Sequence, residues 1–208
     1  MITATLVAIL GILLILVLMQ IFKKKPQPPP VPAKDLSNLT IRDAQVGDAV
    51  SVAGAGENFS DLDFSIDHRT RYEAGRRQWY ELNGTYRDRR VALEVYDEEE
   101  LEVHAVTSPQ RLTLDELDLS EEDLAAMDER QNTADSFEYN GKVWMYRLSR
   151  EASMYRDSTG QAFGFYLWQF QEQGGNQFIS IRKPEGEPFS ATVATRVNPG
   201  DISVFRGI

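Results

Sequence analysis

The sequence predicts a mainly β fold: antiparallel meanders forming two lobes or a sandwich or barrel, one short helix, and an N-terminal transmembrane helix. Three observations predict it. Beyond Ser37, short runs rich in Val, Ile, Tyr, Phe and Trp alternate apolar with polar residues, and turn residues separate them at regular intervals. After Leu112 one stretch changes to helical spacing. The first 22 residues carry no charged side chain.

The N-terminal element is Ile2 to Phe22, ITATLVAILGILLILVLMQIF, assigned to a transmembrane helix over residues 1–22. At 1.5 Å per residue it would be roughly 32 Å long, against a hydrocarbon core about 30 Å thick. A helix satisfies its own backbone polar groups and so can cross lipid. Lys23, Lys24 and Lys25 follow at once, and basic residues beside a span stay on the cytoplasmic side. The expected topology is single-pass in the inner (plasma) membrane, with the C-terminal domain in the cytosol. A cleaved signal peptide fits less well, because the charge lies after the apolar run rather than before it. A buried core helix fits less well still, since a proline tract separates the run from the rest of the chain.

Residues 23–36 read as a basic, Pro-rich linker. PQPPPVPAK, from Pro26 to Lys34, holds five prolines and favours polyproline II, a semi-rigid stalk. Residues 37–208 then form the expected cytosolic β-rich domain, with lobes at 37–110 and 134–208 around a helix at 121–130.

Composition narrows the function. Lys and Arg number 22 against 32 Asp and Glu, a net charge of −10, which disfavours nucleic acid as a partner. Cysteine is absent, which removes disulfides, thiol catalysis and Cys-based metal sites. The charge is uneven: seven arginines lie between Arg69 and Arg90, while Asp97–Glu102 reads DEEELE and Asp115 to Glu129 is acid-rich. Solvated faces that offset one another explain this most simply. The sharper reading is an arginine-lined surface for an anionic ligand, with Arg69, Arg71, Arg76 and Arg77 at its centre.

Along the domain, strands are expected at Gln45–Val52, Phe64–Arg69, Gln78–Leu82, Arg90–Tyr96 and Leu101–Val106, with Asn83-Gly84 as the turn between the third and fourth. Ser120 and Asp123 form a capping-box signature ahead of Leu124 and Met127, so a helix is expected at 121–130. Ser136–Leu148 reads as a hairpin about Asn140-Gly141, and Asp157–Gly160 as a turn. Ala162–Gln171 is apolar on both faces, which predicts a central strand. Gln177–Arg182, Pro188–Val197 and Asp201–Arg206 complete the meander. The segments from Trp79 and from Leu167 align loosely, a weak hint of internal duplication.

No constellation for chemistry emerges. His68 and His104 are the only histidines, and His104 is expected to point with Glu102; two histidines on separate strands make a poor metal site. No G-x-S-x-G occurs, and the paired carboxylates lie in acidic runs. Trp79, Trp144 and Trp168 read as core residues. No cofactor or metal is expected.

Asn38-Leu39 leading to Val46-Gly47-Asp48, Arg71-Tyr72-Glu73 before Trp79-Tyr80-Glu81-Leu82, and Ser149-Arg150-Glu151-Ala152 before Phe165-Tyr166-Leu167-Trp168-Gln169-Phe170 together resemble a bacterial domain-of-unknown-function family of membrane-associated β-rich proteins. The resemblance runs from Leu36 to Arg206, with only partial agreement around Arg182–Glu187. It implies company with phage-shock-protein-A-like and polyamine-synthase-like proteins, and it implies no catalytic residues. The functional expectation is a membrane-anchored accessory protein with a protein partner, in an envelope or stress-related complex. Its candidate interaction surface comprises Arg69, Arg71, Arg76, Arg77, Tyr72 and Glu151, and Lys23, Lys24 and Lys25 serve as orientation anchors. The alternatives are a sensor for an anionic small molecule or a polyamine, and an enzyme with an unrecognised site.

Overall fold

The structure, a computed structural model, describes residues 39–207 apart from Pro109 and residues 157–159. The transmembrane helix, the lysine triplet and the Pro-rich linker lie outside the described residues, as does most of the turn expected at Asp157–Gly160. Among the described residues, no helix is long and apolar enough to cross a membrane.

Eleven antiparallel strands form one continuous sheet, joined by a single described α-helix, α1 (Glu121–Arg130). The strands are β1 (Ala49–Val52), β2 (Leu62–Ala74), β3 (Arg77–Tyr86), β4 (Arg89–Asp97), β5 (Leu101–Val106), β6 (Ser136–Tyr139), β7 (Lys142–Arg156), β8 (Ala162–Glu172), β9 (Gln177–Pro184), β10 (Ser190–Val197) and β11 (Ile202–Phe205). Their order is β11-β1-β2-β3-β4-β5-β10-β9-β8-β7-β6, with a further pairing of β2 to β7. That pairing sets Thr70–Glu73 against Ser153–Arg156 and closes the eight strands from β2 to β7 into a barrel. Closure removes two exposed sheet edges.

Two one-residue irregularities make this closure workable. Between Ile66 and His68 the register of β2 against β3 slips, and between Tyr146 and Leu148 that of β7 against β8 slips. An inserted residue switches which face the following side chains occupy. Accordingly Leu62, Phe64 and Ile66 pack in one core while Tyr72 and Ala74, further along the same strand, pack in another. Trp144 and Tyr146 likewise face α1, whereas Ala152 faces the barrel interior with Tyr72 and Trp79.

The result is apolar cores on two outer flanks of the barrel. One holds Val50 and Val52 of β1, Leu82 of β3, Leu93 and Val95 of β4 and Val103 of β5. The other packs Leu117, Leu124 and Met127 against Trp144, Phe170, Ile179 and Ile181. Helix α1 starts as its sequence dictates: Asp123 N–H donates to Ser120 Oγ at 3.1 Å, and Ser120 N–H returns a bond to Asp123 Oδ2 at 2.9 Å. It is clamped to the sheet by Trp168, whose indole N–H donates to Leu124 O at 3.1 Å, and by Tyr166, whose hydroxyl donates to Asp128 Oδ1 at 2.7 Å. Ser149 also donates to Asp128.

The central position of β8 is as expected, with Leu167 and Phe170 buried on opposite faces. The hairpin at Asn140-Gly141 is also present, both residues taking positive φ. The expected turn at Asn83-Gly84 is not. Those residues lie inside β3, paired with Ala92 and Val91, and the chain reverses at Arg87-Asp88 instead. Gly84 is there for room: a Cβ would stand 2.2 Å from Phe64 Cδ2 and 2.5 Å from Ser65 O. Close packing of β2 on β3 explains the glycine, not a reversal of the chain.

Candidate functional site

Alternation sends one face of β3, β4 and β5 to the first apolar core, and sends the opposite face into the barrel. The inward row is polar. Thr70 of β2, Glu81 of β3, Glu94 of β4, His104 of β5 and Arg196 of β10 are successive cross-strand neighbours. Glu81 and Glu94 therefore stand directly opposite each other, a repulsive pairing by itself. Arg182, reaching in from β9, resolves it. Its Nη2 donates to Glu94 Oε1 at 2.7 Å, and its Nη1 donates to Glu81 Oε2 at 3.2 Å and to Tyr72 OH at 3.0 Å.

Other groups complete the network. Tyr96 OH donates to Glu94 Oε2 at 3.0 Å, Asn83 Nδ2 to Glu81 Oε1 at 3.0 Å, and Gln169 Nε2 to Tyr96 OH at 3.1 Å. Glu94 is 1% exposed and His104 3%. His104 Nε2 lies 2.7 Å from Glu102 Oε1, so Glu102 does share its face as the alternation predicts. A ring stack runs from Tyr72 to Trp79 (5.2 Å) and on to Tyr96 (5.8 Å); His104 stacks on Phe178 at 4.0 Å.

Charge follows this geometry. Burial pushes the Glu81 carboxyl up, but the Arg182 charge and the hydrogen bonds from Asn83 and Arg182 outweigh it and hold the group below its ordinary value. The His104 hydrogen bond, with Arg196 beside it and against burial, brings Glu102 down to about 2. Burial, reinforced by the carboxylates alongside, raises the Tyr72 and Tyr96 phenols. Burial works against the Arg182 cation, yet the surrounding phenols and carboxylates keep it firmly charged.

Within this interior, three buried polar atoms have no hydrogen-bond partner among the described residues: Trp79 Nε1, His104 Nδ1 and Arg182 Nε. A cleft of about 400 Å³ opens at one end of it, walled by Trp79, Tyr96 and His104 and rimmed by Arg77, Arg150 and Glu98. Among the described residues, no cluster of three or more His, Cys, Asp or Glu is arranged to hold a metal ion.

The six residues expected to form an interaction surface do not share one face. Arg69 stacks over the Tyr80 ring at 3.9 Å and Arg71 over Tyr155 at 4.1 Å, both on outer strand faces. Arg76 is exposed at the β2–β3 turn, and Arg77, which follows it, faces the cleft. Tyr72 is buried inside the barrel, because the slip after Ile66 turns it inward. Glu151 is exposed on β7, paired with Tyr166. Within the acidic run at 115–129, Glu116 accepts from Thr113 N–H at 2.8 Å and Asp123 caps α1.

Sequence reading missed Glu94 and Arg182. The available signal was a charge set within an apolar strand run, as in VALEV and FISIR. The motif residues, by contrast, acquire roles. Tyr72, Trp79 and Glu81 line the interior, while Ser149, Tyr166 and Trp168 dock α1. Asp48, 1% exposed, accepts from Gln45 N–H at 2.8 Å and from Arg206 Nη1 at 2.9 Å, pinning the C-terminal segment.

A closed antiparallel barrel with apolar flanks and a charged, largely self-paired interior defines an all-β domain. Its motif residues serve the interior, the helix contact and the C-terminal clip. Its sequence matches a family model over residues 45–199, about three quarters of the chain, and the chain belongs to that family, the domain of unknown function DUF4178. No curated protein and no solved structure matches it.

Proposed function

We propose that this chain is a single-pass, membrane-anchored accessory protein whose cytosolic barrel domain docks a partner protein in a bacterial envelope or stress-related complex, without chemistry of its own. One observation carries the docking. Phe59 is 93% exposed, and it and Asn58 both take left-handed backbone conformations (φ 61° and 52°). A bulky residue held at positive φ to present its ring to solvent is strain that a binding contact would justify. Phe205 and Val46, 58% and 54% exposed, add apolar surface at the other end of β1, along the edge where β11 is the last strand. The uncharged run at residues 2–22 and the lysines after it support the tether. Phage-shock-protein-A-like proteins are the partners that the family resemblance suggests.

A photo-crosslinking residue placed at Phe59 in native membranes tests this. The expected result is one or two specific adducts, lost when the crosslinker is moved to exposed Arg76. A chain that stays solitary at Phe59 and at Phe205 would overturn it. A reporter fused after Ile208 checks the tether separately: it should be active only on the cytoplasmic side.

A further inference from the structure

The cleft at the barrel mouth contains cationic and N–H donors that the fold leaves unanswered. Arg150, half-buried on β7, makes no hydrogen bond or ion pair among the described residues. Arg77 reaches Glu98 only at 3.4 Å and Arg147 reaches Glu102 only at 3.7 Å. Both of those pairs are partly exposed and so contribute little. Burial and the Arg77 charge alongside outweigh the Glu98 charge and push the Arg150 guanidinium below its usual value, so two cations are held near each other in a partly dry place. Trp79, on the cleft wall and 4% exposed, has an indole N–H with no acceptor. Guanidinium and indole groups are donors only, and neither can satisfy the other.

The acids nearby do not fill the gap. Of the acids lining the cleft, Glu102 is committed to His104 and Arg196, Glu98 pairs with Arg77 at 3.4 Å, and Glu98, Glu99 and Glu100 are exposed at the rim, where water screens them; Glu94 and Glu81, outside the lining, are committed to Arg182. A buried donor without an acceptor costs free energy, and so does a half-buried cation that has no ion-pair partner and stands beside a second cation. A single oxyanion seated between them would relieve both, accepting from the forked guanidinium and from the indole together. The cleft's volume of about 400 Å³ lies within the range of small-molecule sites.

We infer that this cleft is a binding site for a small molecule bearing a carboxylate or phosphate group, with Arg150 as its principal anchor, Arg77 as the second cation and Trp79 as the neutral donor. The site is distinct from the outward-facing Arg69 and Arg71. It does not depend on the docking role of Phe59.

Isothermal titration of the full-length chain in detergent tests this, with inorganic phosphate and succinate as separate probes at fixed ionic strength. Saturable binding of either probe is expected, with quenching or enhancement of Trp79 fluorescence, and the preferred probe distinguishes phosphate from carboxylate. Arg150→Gln is expected to weaken binding at least tenfold, while Arg76→Gln, outside the cleft wall, leaves it unchanged. Ligand-free Arg150→Gln should melt no lower than the parent chain, because it removes a like-charge contact. The inference is overturned if neither probe saturates, if Arg150→Gln binds as the parent does, or if both arginine variants weaken binding equally.

Discussion

Arg182 shows how much one residue can decide. It lies between two carboxylates that strand pairing forces together, and its guanidinium donates to both Glu81 and Glu94 inside the barrel. Arg182→Met should cost about 3–5 kcal/mol, because it leaves two buried acids facing each other. Urea denaturation measures it, and the triple variant that also carries Glu81→Gln and Glu94→Gln should recover most of the loss. Acid has a related effect. Glu102 falls to about 2 in the folded chain from an ordinary value of 4.5, and Glu81 is also lowered. Groups with depressed folded values contribute stability that is complete above the unfolded value and is lost as pH falls through the folded one. The melting temperature should therefore fall between about pH 4.5 and 2, and Glu102→Gln should flatten part of that slope; an unchanged slope in this variant would contradict the His104–Glu102 assignment.

At the scale of elements, the two slipped registers matter more than any strand taken alone. β2 and β7 each serve two cores in succession, and each does so by spending one residue out of register. Gly84 sits opposite the first slip, paired with Ile66. Gly84→Ala should cost about 1–3 kcal/mol through overpacking against Phe64. Gly164→Ala on β8, where a Cβ meets nothing within 4 Å, should be close to neutral. Paired thermal melts decide this, and equal losses would mean that glycine's backbone freedom, not space, is what Gly84 supplies. These slips also limit what alternation can reveal. Period two assigns Phe64 and Ile66 to one face correctly. It cannot show that Tyr72, six residues on from Ile66 and of the same parity, faces a different interior. Local turn propensity misleads at Asn83-Gly84 for a similar reason, since the contact that needs the glycine comes from another strand. Helix α1 is legible because its cap, its acids and its apolar residues all lie within ten positions.

At the scale of the whole molecule, closure by β2 and β7 ties the two flanks into one body. Trp79 reports on the barrel interior and Trp168 on the flank that holds α1. Single-tryptophan variants carrying either reporter should give coincident denaturation curves, both matching far-UV circular dichroism. Separated midpoints would mean that the flanks unfold independently and that the β2–β7 seam is weak. The same closure places the interior cleft and the exposed Phe59 on one scaffold, so ligand at the mouth and partner at the sheet edge would bind a common rigid frame.

The sequence by itself determined the mainly β class, the short capped helix, the central aromatic strand, the shared face of His104 and Glu102 and the core placement of the tryptophans. Each is written in neighbouring residues, through propensity, period and capping. Only the tertiary structure decided that the sheet closes on itself, that Tyr72 turns inward, and that Glu81, Glu94 and Arg182 meet. Those outcomes depend on contacts between residues up to about a hundred positions apart, and on single-residue slips whose effect appears only when the partner strand is in place. A charge in a strand looks the same in sequence whether water or a counter-charge answers it. Burial distinguishes the two, and burial is a property of the assembled barrel.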